Sequence, residues 1–224
     1  MSSLAVDVLI PVDRAVLPGE LLDSRHDRPV VVFAHGSGSS RFSPRNRFIA
    51  DRLAEAGFGT LLFDLLTPDE DREPQIRFDI ALLAERLMEA VRWLRTEPDR
   101  EDLPISLFGA STGAAAALIA AAVSGDVSAV VSRGGRPDLA AEWLGKVGCP
   151  TLLIVGSRDQ EVLEMNRWAL DRLPAATVKE LAVVNGATHL FEEPGTLEQV
   201  ADLAVYWFAA HTGVRETKDA EPAT

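Results

Sequence analysis

Short apolar runs alternate with longer amphipathic stretches along most of this chain. Residues 30–34, Val-Val-Val-Phe-Ala, are apolar without interruption, as a strand buried on both faces requires. Residues 59–65, 105–108, 129–132 and 151–155 repeat the pattern, and 177–184 repeats it more weakly. Residues 6–12 and 15–22 are strand candidates joined through Asp13 and Arg14. Pro18-Gly19 interrupts the second, which suits a sheet edge. Helical spacings lie between these runs. Ile80, Leu83, Leu87, Val91 and Leu94 share one face of a helix over 79–94, with Glu85, Arg86, Glu89 and Arg92 elsewhere on its surface. Ile49, Leu53 and Ala56 mark a helix over 46–56 that Gly57 stops. Leu197, Val200, Ala204 and Phe208 mark a last helix over 197–210. Strand–helix alternation with wholly apolar central strands predicts an α/β fold, a mostly parallel central sheet flanked by helices. Ligands of such sheets sit at the carboxyl ends of the strands, so the residues following each strand carry the chemistry.

Composition narrows the picture. The chain has 224 residues, and one domain is expected, spanning 1–212, with the polar stretch 213–224 a disordered tail. The formal net charge of −12 repels a polyanion, so nucleic acid is not an expected partner. Arg41, Arg45 and Arg47 nevertheless fall close together. Cys149 is the single cysteine, which rules out an intramolecular disulfide and fits a reducing compartment. It precedes Pro150 and an apolar run, and reads as a small core residue. The start of the chain lacks a secretory pattern, and no apolar stretch of ~18 residues appears. A cytoplasmic protein that does not engage membranes is expected, as a monomer or homodimer. Tyr206, Trp207 and Phe208 of the last helix are expected to pack internally. No clustered His, Cys or carboxylate set appears, so neither a metal nor an organic cofactor is expected.

Gly109-Ala110-Ser111-Thr112-Gly113 lies between a predicted strand and a helical continuation. A serine on so sharp a turn projects out of the sheet, and flanking small residues let strand and helix approach closely. The following helix favours negative charge at its N-terminus, making the Thr112 N–H an expected donor to an oxyanion. His35-Gly36-Ser37-Gly38 follows the first apolar run, and Ser37, or else Gly36, is expected to supply a second oxyanion donor. This loop lacks the spacings of nucleotide-binding motifs. Among the four histidines, His26 lies in a charged turn, His35 is placed to shape the loop, and His211 follows the last helix. His189 follows the last strand and is the expected general base. Asp159, after the run 151–155, is the expected orienting acid, with a helix N-cap as its other role and Asp64 as its rival. Arg41 and Arg133, with Arg136 close by, lie on loops at the active end of the sheet. One of them is expected to contact an anionic group of the substrate, with surface ion pairing as the plainer role.

Taken together, the loop 35–38, the 109–113 elbow, Gly156-Ser157-Arg158-Asp159 and Ala187-Thr188-His189 resemble the dienelactone hydrolase branch of the α/β-hydrolase superfamily. The likeness spans about residues 5–210. The chain also resembles the hydrolase half of bacterial proteins that join such a domain to a phosphoribosyltransferase, without that second domain. Dienelactone hydrolases use a cysteine nucleophile, whereas the elbow here holds Ser111. The resemblance therefore implies a serine hydrolase acting on a small-molecule ester or thioester through a Ser111–His189–Asp159 triad and an acyl-enzyme. The segment between Ser132 and Pro150 is short where capped relatives carry an insertion, which implies a capless fold with an open site. Thioesterases, peptidases and acyltransferases share the same covalent half-reaction. A ligand-binding scaffold without turnover is the rival of another class, and the complete triad weighs against it.

Overall fold

The computed structural model describes residues 5–22 and 28–213. The tail expected over 213–224 lies outside the described residues apart from Gly213, as does His26. Eight strands form one sheet: β1 (Ala5–Val12), β2 (Ala15–Leu22), β3 (Val30–Ala34), β4 (Gly59–Phe63), β5 (Ile105–Ala110), β6 (Val130–Arg133), β7 (Thr151–Gly156) and β8 (Lys179–Val184). The helices among the described residues are α1 (Pro44–Glu55), the single turn α2 (Pro74–Arg77), α3 (Ile80–Thr96), α4 (Thr112–Ser124), α5 (Gln160–Arg172) and α6 (Thr196–Thr212). Strand order is β1-β2-β4-β3-β5-β6-β7-β8. β2 runs antiparallel to both β1 and β4, and the remaining pairings are parallel.

Strand residues divide the core by their period of two. Val30, Val32 and Ala34 join the layer that holds α3 and α4, while Val31 and Phe33 join the layer that holds α1 and α6. Every residue of β3 to β7 is buried, as their unbroken apolar runs require. Ser43 caps α1 and Pro44 occupies its first turn, so the helix begins two residues before the apolar spacing suggested. Asp79 caps α3 by accepting the Leu82 N–H at 3.0 Å. In α4, residues 112 to 121 are all buried, and the alanines let the helix lie close upon the sheet. In α6, Trp207 and Phe208 are buried as expected, whereas Tyr206 lies on the exposed face and does not pack internally.

One placement differs. β2 is not at the edge, since β1 covers it on one side and β4 on the other. Pro18 is tolerated because β4 pairing begins only at Gly19. The Pro18 carbonyl accepts the Asp64 N–H at 3.1 Å just past the end of β4, so the missing donor falls where the ladder runs out. Between β6 and β7 the chain makes two short 3-10 turns, 137–140 and 144–146, and inserts no cap. No described helix is long and apolar enough to cross a membrane.

Candidate active site

The turn from β5 into α4 places Ser111 at φ 52°, ψ −120°, a backbone region that side-chain-bearing residues rarely occupy. Hydrogen bonds hold it there. The Ser111 N–H donates to the Arg133 carbonyl at 3.2 Å, and the Ser111 carbonyl accepts from Ala114 and Arg136, each at 3.1 Å. Its glycine neighbours are sterically required. A Cβ on Gly109 would lie 2.4 Å from the Ala114 Cα, and one on Gly113 would lie 2.2 Å from the Ala34 carbonyl oxygen.

β7 and β8 bring up the other two candidates, Asp159 and His189. His189 Nδ1 lies 2.6 Å from Asp159 Oδ2. Asp159 stands at the N-cap position of α5, but its side chain does not cap the helix, which leaves the carboxylate to the histidine. The loop around His189 is tied to the end of β7, where the Arg158 N–H donates to the Ala187 carbonyl at 2.9 Å. Gly156 permits that approach, since a Cβ there would meet the Ala187 oxygen at 2.3 Å. Gly134, at φ 52°, brings its backbone against the imidazole, with a Cβ position 3.4 Å from Cε1 and Nδ1. Ser111 and His189 line one cavity of about 260 Å³, together with Gly36, Ser37, Arg45 and Arg133. No hydrogen bond joins Ser111 to His189 in this state. Such contacts are commonly long until substrate tightens them.

Among the described residues, no acceptor takes the Thr112 N–H at the start of α4. The Ser37 N–H is not free in the way the sequence suggested, because it donates to Thr112 Oγ1 at 2.8 Å. That bond ties the 35–38 loop to the elbow. His35 is buried and anchors the same loop. Its Nε2 accepts the Leu65 N–H at 3.0 Å, so Nδ1 carries the proton and donates to the Gly36 carbonyl. Burial holds its pKa below the ordinary 6.5, against the opposing pull of the Gly36 carbonyl and of Asp64 and Asp71.

The arginines divide. Arg41 pairs with Asp64 through its guanidinium, and its N–H donates to the same carboxylate at 2.8 Å. This is the ion pairing given above as the plainer role of Arg41, and it sets Asp64 against Arg41 while Asp159 faces His189. Arg136 pairs with Asp138 at 2.7 Å. Arg133 is only 7% exposed, and Nε and Nη1 lack hydrogen-bond partners. Burial, then the nearby charge of Arg45, push its pKa down to about 10, so it remains charged at neutral pH. Arg45, which lines the cavity, and Gly134, which abuts the His189 ring, were not assigned to the site from the sequence. Cys149 is half-buried against the core, and burial pushes its thiol up to about 11, which suits packing and not nucleophilic attack. No group of three or more His, Cys, Asp or Glu among the described residues is arranged to hold a metal.

A family model described as an alpha/beta hydrolase domain matches residues 27–205. The crystal structure of dienelactone hydrolase from Anabaena variabilis is 50% identical with a TM-score of 0.90, covering 94% of this chain and 99% of that one. An esterase of Pyrococcus furiosus shares the fold at 20% identity, with a TM-score of 0.78 and 94% of each chain covered. A Mycobacterium tuberculosis protein named as a phosphoribosyl transferase is 61% identical over 194 residues, covering 86% of this chain. The chain spans only 43% of the length of that relative.

Proposed function

The chain belongs to the α/β-hydrolase family, with a dienelactone hydrolase-like fold, and from that membership we propose that it is a serine hydrolase of small carboxylic esters. The observation that carries this reading is the 2.6 Å pairing of His189 with Asp159 beside the strained Ser111 turn. Ser111 Oγ attacks the ester carbonyl while His189 Nε2 takes its proton, and Asp159 fixes the tautomer and stabilises the imidazolium. The tetrahedral oxyanion is held by the Thr112 N–H and by the Ser37 N–H, which the Thr112 hydroxyl keeps at the elbow. His189 returns the proton to the leaving alcohol, and then activates the water that frees the acid from the acyl-enzyme. The phosphoribosyl transferase name of the longer relatives belongs, in this reading, to the part of them that this chain does not match.

Intact mass after treatment with a small fluorophosphonate tests the proposal. One adduct is expected on the native protein and none on Ser111→Ala. No adduct on folded native protein would overturn the reading. A panel of esters and thioesters of graded chain length then orders esterase against thioesterase activity.

A further inference from the structure

Among the described residues, Asp99, Ser111 and Phe191 have a positive φ without being glycine. Ser111 is accounted for by the elbow. Phe191, at φ 55°, follows His189 by two residues, and a bulky side chain is an outlier in that region. The same loop also turns through positive φ at Gly186 and Gly195, where an added Cβ would meet nothing within 4 Å. Glycine is the unstrained solution to such a turn. At position 191 the chain carries phenylalanine instead, so the ring has a task that outweighs the strain.

The surroundings of the ring show the task. From Thr188 to Gly195 only Phe191 is buried, and its neighbours Leu190 and Glu192 are exposed. The ring joins the core layer that holds α1 and α6. Its backbone N–H donates to the Thr188 carbonyl at 3.3 Å, closing a turn whose two central residues are His189 and Leu190. Two ties hold the loop just before the histidine: the Arg158 N–H on the Ala187 carbonyl at 2.9 Å, and the Glu193 carboxylate accepting the Thr188 N–H at 3.1 Å. Just after it stand the Arg45–Glu192 ion pair at 3.4 Å, with Glu192 exposed, and the Phe191 ring, which is buried.

We propose that Phe191 is a positioning residue for the general base: its buried ring pins the chain in the left-handed conformation that closes the 188–191 turn, and so aims the His189 imidazole. The assignment deepens the serine hydrolase reading and rests on it for the role of His189. Asp159 at 2.6 Å fixes which ring nitrogen carries the proton, but one hydrogen bond leaves the ring free to swing about it. The turn removes that freedom by fixing where the His189 backbone stands. A base displaced by about 1 Å loses on the order of 100-fold in rate while the substrate contacts are untouched. The effect therefore falls on kcat and spares KM.

The test compares Phe191→Gly, Phe191→Leu and a control, Phe208→Leu. Phe191→Gly relaxes the backbone and deletes the ring, whereas Phe191→Leu keeps a smaller apolar anchor. Phe208 is buried in the same layer but packs against Phe58, at the amino end of β4 and away from the site. Phe208→Leu therefore removes the same volume from the same layer without touching the loop. With 4-nitrophenyl acetate, kcat is expected to fall about 100-fold in Phe191→Gly and about tenfold in Phe191→Leu, with KM little changed. Phe208→Leu is expected to lower the melting temperature as much as Phe191→Leu does, with kcat near the native value. A second arm needs no turnover. Long-range proton–nitrogen NMR of the His189 ring in alkaline buffer is expected to show one fixed Nδ1–H tautomer in the native protein and in Phe208→Leu. A mixture of tautomers is expected in Phe191→Gly, and a smaller departure in Phe191→Leu. Should Phe191→Gly fail to fold, the two leucine variants decide. A fall in kcat no larger in Phe191→Leu than in Phe208→Leu, or a tautomer unchanged by every substitution at 191, overturns the assignment. The two readings fail separately. A native protein without a fluorophosphonate adduct loses the hydrolase, and the ring spectra still decide whether Phe191 aims the imidazole. An adduct and turnover that Phe191→Leu and Phe191→Gly leave intact keep the hydrolase and remove the positioning role.

Discussion

Thr112 serves the site twice, through its N–H at the start of α4 and through the hydroxyl that receives the Ser37 N–H. Thr112→Val keeps the first and deletes the second, so the 35–38 loop loses its tie to the elbow. A fall in kcat of roughly tenfold with KM little changed is expected, and Thr112→Ser should recover it. Asp159→Asn bears on the base, since an amide can present its N–H to His189 Nδ1 and hold the wrong tautomer. A loss on the order of 10³-fold or more in kcat is expected, with melting temperature little altered. Ser111, Asp159 and His189 were legible in the sequence as candidates because each follows a strand, and chain order alone then suggests the roles proposed for them. Arg41 was not. Its partner Asp64 stands 23 residues on, at the end of β4, and nothing local announces the pairing. Gly134 and Gly156 carried no separate signal either, because the loop they accommodate arrives from β8.

At the level of elements, the buried strands were legible because a β-branched or aromatic run admits few other placements. α5 was foreseen only through the N-cap role given to Asp159, with no apolar spacing assigned to it, and the cause is visible in its inner face. Asn166 sits fully buried between Val162 and Ala169, donating to the Gly135 carbonyl at 3.0 Å and the Val162 carbonyl at 2.8 Å, so a polar residue breaks the apolar stripe. That asparagine secures the loop after β6. The loop after β3 is secured instead by His35, and this yields a pH dependence. Burial lowers the folded-state pKa, so as pH falls through 6.5 the unfolded chain takes up a proton that folded His35 resists. The contribution of His35 is therefore fully present above pH 6.5 and lost as pH falls toward the folded value. Urea unfolding at pH 7.5 and 5.5 should show native protein losing more stability on acidification than His35→Gln does.

On the scale of the whole molecule, the site collects contributions from the ends of β3, β5, β6, β7 and β8, which one parallel sheet aligns at a single rim. Parallel order was legible from strand–helix alternation, and the short passage from β6 to β7 announced the missing cap. Net charge was less informative. A total of −12 describes the surface average, whereas the cavity holds two guanidinium groups and no acidic residue among those lining it. The close seat of α4 has a wider consequence. Gly113 stands against the Ala34 carbonyl, and Ala114 to Ala117 are wholly buried beneath the elbow. Added methyl groups there meet a packed layer. A library of all single substitutions, scored by ester turnover alone, would rank these alanines beside Ser111 and His189 and read them as chemistry. Scoring cellular abundance in parallel separates the two, for the alanine variants should vanish from the cell while Ser111→Ala accumulates as well as the native chain.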